Sequence, residues 1–174
     1  SVSFFTVNPD PTISDSKSNT WTPLTERTAG TVAVKQFYCA APTVGSGHTF
    51  TTSGVNSFSS LAMEAWSGAH ASPFDAEAGG AGTSSTASAG AGVTPAQDNS
   101  LLVATVAIDQ LAGRTVNSIN GGFTIDDNLP GTVSVSEAIA QAVLEQTSAT
   151  ASDPDWTLSG SFPWAASIAA FKPA

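Results

Sequence analysis

The stretch EAWSGAHASPFDAE, residues 64–77, brings Glu64, His70 and Asp75 close together in a chain with only 11 % charged residues. Three chemistries could use them. A carboxylate and an imidazole can activate a nucleophile, provided that the base is oriented by a third group. Two carboxylates facing each other across about 5–9.5 Å can cleave a glycosidic bond, and Glu64 with Asp75 would be that pair. Polar side chains beside an exposed ring can orient a sugar that stacks on the ring. The first chemistry lacks its nucleophile, because no G-x-S-x-G elbow occurs and Ser46 beside His48 in VGSGH has the spacing of a hairpin turn. For the second, the sequence shows no cleft-building helices or loops around the two carboxylates. No catalytic residue is therefore expected, with a glycoside or ester hydrolase using Glu64 and Asp75 kept as an alternative. The third chemistry gives the expected ligand-binding set: Trp66, His70, Asp75 and Trp156.

Metal and cofactor chemistry finds little support. His48 and His70 are far apart in sequence, and Cys39 is the single cysteine, so no zinc spacing exists. Asp126, Asp127 and Asn128 form an oxygen-rich run, and Asp153 with Asp155 forms another. Both lack the spaced loop of a calcium site, and Asp and Asn are common turn residues. No metal or cofactor is expected. Cys39, in VKQFYCA, reads as an inert core thiol. Trp21 and Trp164 read as strand residues that pack, whereas Trp66 at a strand end and Trp156 beside the DPD turn read as exposed rings.

The elements that must position these groups follow from length and patterning. A chain of 174 residues suits one domain and is long enough to bury about 70 % of its unfolded surface. Its formal net charge of −9 repels phosphate backbones and anionic lipid headgroups, which argues against nucleic acid and membrane partners. No apolar run approaches the ~18 residues of a membrane helix. A chain that begins with Ser1 and has Met63 as its single methionine is expected to have lost an initiator or leader, or to be excised from a longer protein.

Apolar residues recur with period two or in short runs broken by Gly, Pro, Asn and Ser, the pattern of many short strands. Strands are expected at 1–7, 20–26, 31–40, 47–53, 57–67, 100–108, 121–125 and 163–172, which together predict an antiparallel sandwich. In the strand 57–67, Leu61 and Met63 would face a core shared with Phe37, Val103 and Ile168, leaving Glu64 and Trp66 on the other face. Residues 79–92, GGAGTSSTASAGAG, have almost no apolar area and read as a surface loop tolerant of shortening. SEAIAQAVLEQTSA carries a moderate local helix signal, with Ser136 placed to cap it.

Ordered fragments extend this reading. DSKSNTW (15–21), VKQFYCA (34–40), GSGHTFT (45–51), MEAWSG with PFD (63–68, 73–75), GTSST (82–86), NSLLVATVA (99–107), GGFTI (121–125) and WAASIAAFKP (164–173) run nearly the length of the chain. In this order the set resembles a bacterial and phage β-sandwich module, of jelly-roll, concanavalin-like type, that is appended to secreted proteins and phage virion proteins. Ser18 stands where the opening motif usually has Gly, which bears on that turn alone. The resemblance implies an all-β, antiparallel two-sheet β-sandwich of jelly-roll type, with 136–148 a strand against its local helix signal. It also implies a virion or extracellular location.

The functional expectation is a single-domain, non-catalytic surface module acting in structural packing or attachment. Its partners would be neighbouring structural protein subunits or a surface glycan, with homo-oligomers possible. The alternative binding reading is a carbohydrate-binding module that uses an exposed tryptophan.

Overall fold

The computed structural model describes residues 2–5, 10–55, 58–109, 113–132 and 137–174. Among them the chain is all-β: no helix occurs, and none is long and apolar enough to cross a membrane. The strands are β1 (Val2–Phe5), β2 (Thr12–Asp15), β3 (Thr22–Pro23), β4 (Arg27–Ala29), β5 (Val32–Lys35), β6 (Phe37–Tyr38) and β7 (Phe50–Ser53). They continue with β8 (Ser60–Leu61), β9 (Ala69–Ser88), β10 (Ser100–Ile108), β11 (Val116–Ile119), β12 (Thr124–Leu129), β13 (Ala138–Gln146) and β14 (Asp155–Pro173).

A large antiparallel sheet runs in the order β11-β14-β10-β13-β12, with β9 also paired to β14. A second sheet has the order β4-β5-β1-β8, and two ribbons, β2-β7 and β3-β6, complete the described pairing. The runs SLLVATVAI, AIAQAVLEQ and WAASIAAFK give the large sheet its centre, because apolar residues on consecutive positions can be buried on both faces.

Register decides which residues share a face. Val103 pairs with Val143 and Ala169, Thr105 with Gln141 and Ser167, and Ala107 with Ile139 and Ala165, so these lie on one side. That face meets the four-stranded sheet, where Val32 and Val34 pack on Ala107 and Ala165. Leu102, Ala104, Val106, Ile168 and Ala170 point the other way, into a second core closed by Val116, Phe123, Trp156 and Leu158. Trp156 and Leu158, from the first part of β14, alternate in phase with Trp164, Ala166 and Ile168 and join the same core.

Several expectations are corrected. Residues 79–88 are strand and not loop, since β9 runs through Ser88 and pairs with β14 from Asp155 to Pro173. The small residues permit close approach: a Cβ on Gly80 would stand 2.5 Å from the Ser88 carbonyl oxygen, and one on Gly82 would stand 2.9 Å from the Trp164 ring. Composition without apolar periodicity thus hid a tightly paired strand. The expected strand 57–67 shrinks to Ser60–Leu61, with 62–66 irregular and residue 57 outside the described set. The expected shared core divides: Ile168 joins the second core, Phe37 and Leu61 pack on Ala33, and Val103 lies on the opposite face from Ile168. Cys39 follows β6 and is half-buried, not a strand core residue. By contrast, the strand expected at 136–148 is present over Ala138–Gln146, where pairing with β10 along nine positions outweighs the local helix signal.

Candidate functional site

A groove of about 550 Å³ opens beside the interface between the large sheet and the smaller elements. Its floor is Leu101 and Val103 of β10, Gln141 of β13 and Phe171 of β14, which the register sets on one face of the sheet. One wall is built by Phe37 and Tyr38 of β6, Trp21, His48 and Phe50. The irregular segment with Met63, Glu64 and Trp66 forms the other. Among the described residues three large hydrophobic side chains are exposed, and two of them, Val44 and Trp66, line this groove.

Local chemistry fixes the wall rings. Trp21 donates its Nε1–H to Asp15 Oδ2 at 2.7 Å and meets Phe50 edge-on at 6.0 Å. Burial would raise the Asp15 carboxyl, but hydrogen bonds from the Trp21 ring, the Lys17 amide and Asn19 outweigh it and hold the group well below the usual carboxylate range. His48 Nε2 lies 3.4 Å from Asp15 Oδ1, and its ring packs on Phe50 at 4.4 Å. Tyr38 stacks on Phe74 at 5.7 Å and meets Phe171 at the same distance. Trp66, 44 % exposed, donates its Nε1–H to Glu64 Oε2 at 3.0 Å, so the carboxylate orients the ring.

Two polar groups mark the floor. Gln36 is buried and fully engaged: its amide nitrogen donates to the Val103 carbonyl and Thr105 Oγ1, and its oxygen accepts from Ser167 Oγ. Gln141 is 3 % exposed, lines the groove, and makes no side-chain hydrogen bond to another described residue. Its amide reaches the solvent of the groove, where it can donate to and accept from water or a ligand.

The residues singled out in the sequence are dispersed. Trp66 and Glu64 stand in the groove wall. His70 and Asp75 lie on β9 and are not among the groove residues: His70 Nδ1 accepts from the Ser72 amide at 3.0 Å, and Asp75 Oδ2 accepts from the Ala96 amide at 2.7 Å. Glu64 and Asp75 therefore have separate local partners. Trp156, expected as an exposed platform, is 0 % exposed in the second core, since β14 begins at Asp155 and its alternation turns Trp156 inward with Leu158. Among the described residues no three His, Cys, Asp or Glu side chains converge as metal ligands. Asp126 is the residue skipped by a register shift in β12, and Asn128 donates its amide to the Val116 carbonyl at 2.9 Å. The Cys39 thiol in the groove wall is pushed up by burial and further by the Asp15 charge, which keeps it a thiol and a poor nucleophile. What the groove offers chemically is ring faces and an amide, with no set of side chains placed for catalysis or metal binding among the described residues.

No family model, curated protein or solved structure matches the chain.

Proposed function

We propose that this chain is a non-catalytic attachment module of a virion or of a protein outside a bacterial cell, and that it attaches by holding a neutral glycan in the aromatic groove. The observation that carries the reading is the groove itself: several rings frame the unpartnered amide of Gln141. Sugar rings present apolar C–H faces that stack on aromatics, and each hydroxyl both donates and accepts, as an amide does. The groove residues include Glu64 but no lysine or arginine, which suits a ligand without negative charge. On this reading the large and four-stranded sheets are the two layers of a jelly-roll sandwich, supported by the packing of Val32 and Val34 on Ala107 and Ala165. The sequence resemblance to appended surface modules points the same way.

The test is calorimetric titration of the domain with neutral oligosaccharides, in parallel with assays on chromogenic glycosides and esters. Binding that is lost in Trp66→Ala and in Gln141→Ala, without turnover, is the expected result. Turnover abolished by Glu64→Gln would replace the attachment reading with a hydrolase.

A further inference from the structure

The groove does not end at Trp66. A second depression of about 90 Å³ adjoins it, and the two share Trp66, Ser67, Ala69, Leu101 and Phe171 as lining residues. Trp66 therefore borders both hollows and, among the residues they share, is the one with a large exposed hydrophobic side chain. Its ring is held by the hydrogen bond to Glu64 Oε2 and is 44 % exposed, which leaves surface on which a ligand can stack.

Register gives the length of the combined site. Gln141, Val143 and Glu145 are alternate residues of β13 on one face, with Gln141 on the floor of the groove and Glu145 lining the second depression. Four residues of extended strand separate Gln141 from Glu145, about 13 Å at ~3.3 Å per residue. A single sugar ring does not span this. The two hollows also differ in chemistry: the groove is aromatic, whereas the second depression carries Asn99, Glu145 and Lys172, a polar rim of balanced charge.

Building on the glycan reading above, we infer that the site takes an extended, neutral oligosaccharide chain that lies across Trp66, one part stacked in the groove and the next hydrogen-bonded by Asn99, Glu145 and Lys172. A terminal sugar or a monosaccharide would fill one hollow and leave the other empty.

The experiment is calorimetric titration of the whole chain with malto-, cello- and chito-oligosaccharide ladders, from monosaccharide to hexasaccharide, on the parent and on Lys172→Ala, Asn99→Ala and Gln141→Ala. Circular dichroism would check that each variant keeps its fold. Affinity for at least one ladder should rise about tenfold or more with chain length and then level off. Lys172→Ala and Asn99→Ala should each weaken the longer members several-fold and leave the shortest binding member unchanged, whereas Gln141→Ala should weaken all of them. Affinity independent of length, still dependent on Gln141, would overturn the two-part site and leave the glycan groove standing. No binding to any ladder would overturn both.

Discussion

Ser167 of β14 donates its hydroxyl to Gln36 Oε1 at 2.8 Å, across the interface between the large sheet and the segment that follows β5. Both residues are buried, and the same Gln36 amide reaches the Val103 carbonyl and Thr105 Oγ1 of β10. One side chain thus ties two central strands of the large sheet to the wall of the groove.

Replacing Gln36 by Leu should leave the buried Ser167 hydroxyl and Val103 carbonyl without this partner. The expected loss is about 1–3 kcal/mol, larger than the net worth of one hydrogen bond because buried polar atoms become unsatisfied. Urea unfolding would show it as a lower midpoint with an unchanged slope.

Close backbone approach, not flexibility, explains the glycines of β9. Gly80→Val should cost about 1–3 kcal/mol through overpacking against the Ser88 carbonyl, whereas Ser85→Val, at an exposed position of the same strand, should be nearly neutral. Removing residues 80–85 should prevent folding, since those residues include pairing partners of Phe162–Ala166. Thermal melts of the three variants check the order; a stable deletion variant would show that β14 needs no partner there.

The two tryptophans should respond in opposite ways. Trp156→Ala empties a buried site and should destabilise the domain by about 3–5 kcal/mol. Trp66→Ala should cost far less, about 1 kcal/mol, because the ring is 44 % exposed and leaves no enclosed cavity. Chemical denaturation alongside glycan titration separates the effects: Trp66→Ala should lose binding and keep its fold.

Glu137 supplies a pH dependence. Its side chain is buried with neither carboxylate oxygen hydrogen-bonded to a described residue, and burial pushes its pKa up to about 8 although Arg114 works against the rise. Arg114 is itself engaged by Asp109 and stacked over the Phe162 ring at 4.4 Å. The folded state binds the proton more tightly than the unfolded one, so this group's contribution is most favourable below the ordinary glutamate pKa and declines as pH rises through about 8. Glu137→Gln should gain on the order of 1–3 kcal/mol above pH ~8 and change little near pH ~4. Melting temperatures of parent and variant across that range would show the curves converging in acid; parallel curves would mean that another group sets the pH response.

What could be read from the sequence followed local apolar pattern. SLLVATVAI is β10 to the residue, because β-branched and aliphatic side chains in a run have few alternatives to a buried strand. The strand at 138–146 needed the resemblance, since alanines and a glutamine also favour helix, and pairing decided it. β9 escaped because its signal is the absence of side chains, which marks close approach as well as a loop. Of the groove, Trp66 was legible as an exposed ring, although the strand expected to carry it and Glu64 ends at Leu61. Gln141 was not: its importance lies in which face the β10 register gives it and in what fails to meet its amide, and neither is a local property. Trp156 misled because a turn motif next to a ring does not say which face of the following strand the ring takes.

The pairing of β14 with β9, β10 and β11 also sets an order of events during synthesis. β14 is made after all three of its partners, and its contacts with β9 join residues as far apart in sequence as Ala69 and Pro173. Until it emerges from the ribosome, β9 and the β14-facing side of β10 present unpaired backbone, and the largest sheet lacks its middle. Such high contact order slows folding and leaves sticky edges open in the nascent chain. Completion of the large sheet therefore waits on the synthesis of β14, and the yield in a cell rests on how well those waiting edges are shielded from one another.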